Sequence, residues 1–349
     1  MDYDKALLDE ISRIHSVSGF ENHLCSFYLE RISDKVDSTK TDSVGNAYGI
    51  INGNETDKVI LIEAHADEIG FQVLYIAENG FIYLRRNGGI DEQCIPGSQV
   101  EIVTRDGSVI PGIIGKKPIH LMTTDDRKRT LEVNQLWVDT GLDSCVVKEK
   151  ITIGDCVSFR PNWQWIGEHR ISGKSLDNKI GLYVLIKAMD GVAMRKFKHS
   201  SIAGVATVQE EVGSRGARVA GYNLKPDIAI TVDMDFATDV PDCPFNKYGK
   251  VELGQGVVIP CNVDCNLELS RTFEDIAKKN KIPYQLSARP HATGGTNTSQ
   301  LQLVRGGVRT LSLGIPCRYM HTPVEVCDMR DVNAAIRLLC LFCDFKFMK

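Results

Sequence analysis

The sequence predicts an α/β fold: a sheet sandwiched by helices, interrupted by a β-rich module. Three observations lead there. Near-continuous apolar runs such as "KVILIEAH", ending at His65, have the character of strands covered on both faces. Runs of this kind alternate with helical patterns in the first part of the chain and again in the last half. Between about residues 71 and 166 the texture changes to short alternating strands cut by Asn-Gly, Asp-Gly and Pro-Gly turns, with hardly any helical period. The expected division is residues 1–70 with 167–349 as one domain, and 71–166 as an insert.

Element by element, "YDKALLDEISRI" and "ENHLCSFYLERI" carry helical spacing and are separated by a turn at Ser18 and Gly19. Strands follow in "AYGIING" and "KVILIEAH", then the insert strands "FQVLYIA", "GFIYLRR", "SQVEIVT" and "DCVSFRP". A helix in "GKSLDNKIGLYVLIKAM" reopens the α/β pattern. It continues through "SIAGVATVQ", "DIAITVD", the helix "NLELSRTFEDIAKKN", "RTLSLGI" and a last helix from about Val332.

Composition excludes several function classes. A chain of 349 residues that is 43% hydrophobic can bury a substantial core. Its formal net charge of −4 offers no basic field for nucleic acid, so peptides or small molecules are the better partners. The opening "MDYDKALLDEISRI" lacks the basic and apolar regions of a signal peptide, and no apolar stretch is long enough to span a bilayer, so a cytoplasmic protein without membrane contact is expected. Eleven scattered cysteines, an odd number, read as reduced thiols rather than a disulfide framework. The pairs Cys261/Cys265 and Cys340/Cys343 have unconvincing metal-ligand spacing, and "LLCLFCDF" reads as the apolar face of a helix.

Chemistry concentrates at the edges of predicted elements. His65, Asp67 and Glu68 end a strand in "LIEAHADEIGF", Asp177 begins a helix, Glu210 and Glu211 follow "VATVQ", Asp233 lies in "AITVDMDF" and His321 in "CRYMHTPVE". Taken singly, each has an ordinary explanation. His65 alone reads as a surface or satisfied core residue, Asp177 as a helix cap, and the glutamates as solvated loop charges. Taken together, they all fall at strand ends or helix starts of one α/β framework, where ligands collect, and the insert carries none of them. Imidazoles plus carboxylates suit a pair of divalent cations, one carboxylate bridging them, while a second glutamate remains free to move a proton.

The fragments "AHADEIG", "SLDNKIG", "QEEVGSRGA", "VDMDF", "GGTNTSQL" and "RYMHTPVE", in that order, closely resemble the tetrahedral aminopeptidases of metallopeptidase family forty-two. That family includes glutamyl and deblocking aminopeptidases, and some members are labelled cellulases. The likeness covers almost the whole chain, from "VSGFE" and "DSVGNAYG" through "GIIGKKPIHLM" and "LWVDTG" in the insert. It implies a mixed-sheet α/β/α sandwich of the zinc-peptidase type with an inserted PDZ-like β-barrel that dimerises, and dimers assembling into a hollow dodecamer. The cofactors implied are two divalent ions per subunit, zinc first, with cobalt or manganese as alternatives. By motif, His65 and Asp233 hold one, Glu211 and His321 the other, and Asp177 bridges them. Glu210 is the implied general base, and Asp67 accepts the other ring N–H of His65 and fixes its tautomer. A cis bond between Asp177 and Asn178 is also implied. The reaction implied is removal of N-terminal residues from peptides with a free N-terminus, by a water held between the ions and deprotonated by Glu210.

Four positions depart from the family pattern: Asn297 replaces the Asp of "GGTD", Asp235 a common Thr, Asn178 a second Asp, and His291 sits in an unusual "RPHATGG". Asn297, Asp235 and His291 are expected near the substrate pocket, leaving the preferred N-terminal residue open. Asp235 is read either as favouring a basic side chain or as solvated or helix-capping. Glu68 has no assigned ligand role and is read as a carboxylate at the junction with the insert, either behind the ligands or in the pocket wall. Two other functions compete: a polysaccharide hydrolase, which would need only two carboxylates and leave His65 and His321 unexplained, and a non-catalytic scaffold assembled through the insert.

Overall fold

A computed structural model describes residues 3–54, 58–195, 200–288 and 295–344. The larger domain is a mixed sheet. Along its main path the strand order is Ser38–Thr41, Ala47–Ile51, Ser201–Thr207, Val59–His65, Ile228–Phe236, Arg309–Arg318, Glu325–Asp328, Arg170–Gly173 and Gln164–Ile166. The central strands Ser201–Thr207, Val59–His65, Ile228–Phe236 and Arg309–Arg318 run parallel. Their carboxyl ends therefore lie side by side.

Alternation along these strands serves two helical layers. Ile60 and Ile62 pack with the helices Lys5–Arg13, Asn22–Ile32, Leu176–Ala193, Leu267–Lys279 and Met329–Cys343, whereas Leu61, Ala203 and Val205 face Arg215–Leu224 and Thr298–Gln302. A period of two on a sheet covered on both sides is what makes "VILI" continuously apolar.

The β-rich stretch closes into a barrel of six strands, Gly70–Ile76, Ile82–Asn87, Trp137–Asp139, Val109–Gly115, Gln99–Val103 and Cys156–Phe159. Inward residues such as Val100, Ile102, Val138 and Val157 fill it, and Phe71 meets Phe159 edge to face with centroids 5.4 Å apart. Closure removes the free sheet edges that short strands would otherwise expose. The strand Gln164–Ile166, at the end of the expected insert, pairs with the main sheet instead.

Other elements begin or end differently from the sequence expectation. The last helix starts at Met329, because the Asp328 side chain accepts the Arg330 N–H and caps it three residues before Val332. A short α-helix, Ser144–Lys150, stands in the strand-rich stretch; it buries only Val147, too little to leave an amphipathic period. The bond between Asp177 and Asn178 is cis. No helix among the described residues is long and apolar enough to cross a membrane.

Candidate metal centre

Parallel strand ends bring the scattered residues together. His65 is the last residue of Val59–His65, Glu210 and Glu211 lie in the turn after Ser201–Thr207, and Asp233 sits near the end of Ile228–Phe236. Asp177 stands where the helix Leu176–Ala193 begins, in a non-helical conformation that turns its side chain into the site. His321 comes from the hairpin between Arg309–Arg318 and Glu325–Asp328 and has a left-handed backbone, φ 63°. All six line one cavity of about 460 Å³.

The geometry divides around Asp177. Its Oδ1 is 3.1 Å from His65 Nε2, which also lies 3.5 Å from Asp233 Oδ1. Its Oδ2 is 3.7 Å from His321 Nε2, which in turn is 3.6 Å from Glu211 Oε2. One carboxylate thus faces two separate His-and-carboxylate sets. His65/Asp177/Asp233 and Asp177/Glu211/His321 each bring ligand-type atoms within 4.8 Å of one another, and Glu210 approaches His65 and Glu211 on the same scale.

These residues fit divalent cations. Asp177 and Asp233 are buried, four carboxylates converge, and no Lys or Arg is among the described residues lining the cavity. Among the described residues, Glu211 Oε1 is buried without a hydrogen-bond partner. Burial, and after it the neighbouring carboxylates, push Glu210 and Glu211 well above the ordinary carboxylate range, against the opposing pull of His65; Asp233 is raised by burial as well. Cations between these groups would reverse that cost.

Buried carboxylates hold these residues from behind. Asp67 Oδ1 accepts the Glu210 N–H at 2.9 Å, and its Oδ2 accepts the Glu211 N–H at 3.0 Å and the Ser18 hydroxyl at 2.6 Å. The nearer partner of His65 Nδ1 is the Asp67 carbonyl oxygen at 3.0 Å, the carboxylate lying at 3.4 Å. Asp67 therefore orients three site residues, and it meets His65 chiefly through its backbone. Glu325 plays a comparable part on the other side, as its Oε2 accepts the Asp177 N–H and its Oε1 the His321 N–H.

A sequence model of the M42 glutamyl aminopeptidase family matches residues 45–338. The chain belongs to that family. It is 33% identical to a lysyl aminopeptidase of Pyrococcus furiosus, over 96% of this chain and 95% of the relative. An aminopeptidase from the archaeon Desulfurococcus kamchatkensis superposes with a TM-score of 0.91 at 31% identity, covering 99% of this chain and 96% of that one. The TET1 peptidase of Pyrococcus horikoshii, described as assembling into a tetrahedron or a large octahedral shell, does so at 0.87 and 28% identity, covering 98% and 99%.

Within this M42 chain the departures from the family pattern find different places. Asn297 is fully buried below the cavity, where its Nδ2 donates to Glu63 Oε2 at 2.9 Å and Thr207 Oγ1 at 3.1 Å; its neighbours Gly295 and Thr296 line the cavity and it does not. Asp235 is 1% exposed and absent from the lining, so it is neither solvated nor placed to meet a substrate side chain. Asn178 Nδ2 donates to the Val232 carbonyl at 2.8 Å, and His291 lies outside the described residues.

Glu68 does not line the cavity. It is buried in the seam with the barrel, 2.7 and 2.6 Å from Lys174 Nζ through its two oxygens and 3.0 Å from Lys179 Nζ, and it accepts the hydroxyl of Ser158 from barrel strand Cys156–Phe159. Sequence reasoning gave the insert no part in the site, yet Gly89 borders the cavity and the Asp91 N–H donates to the His321 carbonyl at 3.1 Å. A Cβ on Gly89 would sit 3.2 Å from His321 Nδ1, so "NGG" there is a close approach as well as a turn. The apolar lining from Met234, Phe236 and Met320 also escaped notice, since only neighbourhood in space distinguishes these residues from core.

Proposed function

We propose that this chain is a dinuclear metal-dependent aminopeptidase that removes N-terminal residues from peptides. The observation that carries the reading is the placement of Asp177 between two His-and-carboxylate sets. His65 and Asp233 would hold one divalent cation, Glu211 and His321 the other, with Asp177 shared; zinc fits the donor set, as do cobalt and manganese. When bound, such ions supply Lewis acidity at the scissile carbonyl and acidify water.

The protein's own groups account for the rest. Glu210 is held at its backbone N–H by Asp67, and among the described residues its carboxylate accepts a long hydrogen bond from the Ser214 hydroxyl at 3.5 Å. It takes a proton from the attacking water and returns it to the departing amine. Met234, Phe236 and Met320 give the first side chain of the peptide an apolar wall. A free α-amino group would lie against one cation and the nearby carboxylates, a place a blocked amine could not take, which accounts for an exopeptidase.

Assembly into a homo-oligomer, by dimers through the barrel and dimers into a larger shell, is part of the proposal and rests on family membership and on the likeness to a shell-forming peptidase. A polysaccharide substrate is not favoured, since glycoside hydrolysis gives no work to His65 and His321. The test uses aminoacyl chromogenic substrates with free and acetylated amino groups. Cleavage of the free form alone, lost with a chelator and regained with Zn²⁺, Co²⁺ or Mn²⁺, is expected. Equal cleavage of the acetylated form, or indifference to chelation, contradicts the reading.

A further inference from the structure

Glu325 is the first residue of the strand Glu325–Asp328, where it pairs in register with Gly173. From that position its carboxylate reaches both ways. Oε2 accepts the backbone N–H of Asp177 at 3.0 Å, and Oε1 accepts the backbone N–H of His321 at 2.9 Å. The side chain is 1% exposed, so these contacts are not shared with bulk solvent. Asp177 and His321 are 144 residues apart and belong to different elements, a helix start and a hairpin tip. Among the described residues Glu325 is the side chain that bonds both their backbones.

The two segments need such a tie. His321 holds a left-handed backbone at φ 63°, two residues after Tyr319 at φ 60°, and Ser175 at φ 57° precedes Asp177. Non-glycine residues keep such conformations only where the surroundings over-determine them. The backbone of His321 is fixed at both ends, its N–H by Glu325 and its carbonyl by the Asp91 N–H. A carboxylate is suited to the task because its two oxygens serve two donors at once.

We infer that Glu325 is a positioning residue that sets the distance between Asp177 and His321, and so the geometry of the cation site shared by Asp177, Glu211 and His321. The inference rests on the dinuclear reading above. It assigns Glu325 no contact with substrate. Its effect falls on one cation site more than on the other, because His65 and Asp233 are held by Asp67 and by the adjacent strands.

The experiment is a calorimetric titration of metal-free protein with Zn²⁺, comparing wild type with Glu325→Gln. A glutamine keeps one acceptor oxygen and turns an NH₂ toward the second amide, so one of the two bonds is lost. We expect two binding events in wild type, one of which is about 10- to 100-fold weaker in the variant while the other weakens less. Activity of the variant rises as zinc is raised. Two events of unaltered affinity in the variant overturn the inference. Absence of two events in wild type overturns the dinuclear reading instead. Should Glu325→Gln not fold, hydrogen exchange of the metal-free wild type decides. Slow exchange at the Asp177 and His321 amides supports the tie, and exchange at the rate of exposed loop amides refutes it.

Discussion

Lys174 Nζ lies 2.7 and 2.6 Å from the two oxygens of Glu68, in a pair whose side chains are both no more than 1% exposed. Against the opposing effect of burial, Lys174 and Lys179 hold the Glu68 carboxyl well below the ordinary range. The cluster joins four parts of the chain. Glu68 follows the strand of His65, Lys174 and Lys179 flank Asp177, Ser158 belongs to the barrel, and the Ser16 N–H donates to Oε1 at 3.1 Å. Removing one partner of a buried pair strands the others without compensation, at a cost of about 3–5 kcal/mol. Glu68→Gln is therefore expected to lower unfolding free energy by about that amount in urea titrations at fixed protein concentration. A loss below about 1 kcal/mol, the scale of an exposed pair, contradicts the buried network.

Asp67 gives a second prediction, because it accepts from Glu210, Glu211 and Ser18 together. An asparagine cannot accept all three. Asp67→Asn is expected to weaken zinc binding by about 10- to 100-fold while leaving the far-ultraviolet circular dichroism unchanged. Wild-type affinity in the variant would show that the Glu210–Glu211 turn holds its shape without this carboxylate.

Under the dinuclear reading, the neighbours Glu210 and Glu211 do different work. Glu210→Gln is expected to reduce kcat by at least the roughly 10²–10⁴-fold that general acid–base groups contribute, with the metal content of the protein unchanged. Glu211→Gln is expected to lose metal as well. Measured metal content and kcat for both variants separate the roles, and loss of metal from Glu210→Gln would move that residue among the ligands.

Asn297 makes a third structural case. Its Nδ2 is 2.9 Å from Glu63 Oε2 at a site where both residues are fully buried. Asn297→Asp, which restores the residue usual in the family, removes that donor and sets a second carboxylate against the first. The expected cost is about 1–3 kcal/mol in unfolding free energy near neutral pH. Unchanged stability would mean that a shared proton replaces the amide without penalty.

Part of this candidate site was legible in the sequence because polar residues mark the edges of apolar strands: His65 ends Val59–His65, Glu210 and Glu211 follow Ser201–Thr207, and Asp233 lies near the end of Ile228–Phe236. The α/β layers followed from the same runs, since a sheet covered on both faces leaves no polar alternation to misread. Residues that act through tertiary reach left no such trace. Glu325 stands four places after His321 in "HTPVE", yet its partner Asp177 is 148 residues away, and nothing in local spacing joins them. Glu68 shared a motif with His65 and Asp67 but pointed to the barrel seam, because a strand that has just ended no longer fixes which side a residue faces. Asp235 and Asn297 looked like pocket residues by motif and proved to be buried away from the cavity, a distinction only burial could make.

The most direct test of the central claim is anomalous diffraction from crystals of the protein grown with Zn²⁺. Two peaks per subunit are predicted, one among His65, Asp177 and Asp233 and the other among Asp177, Glu211 and His321, with both ions about 3.5–4 Å apart across Asp177. A single peak, or peaks that leave Asp177 bound to one ion only, would contradict it.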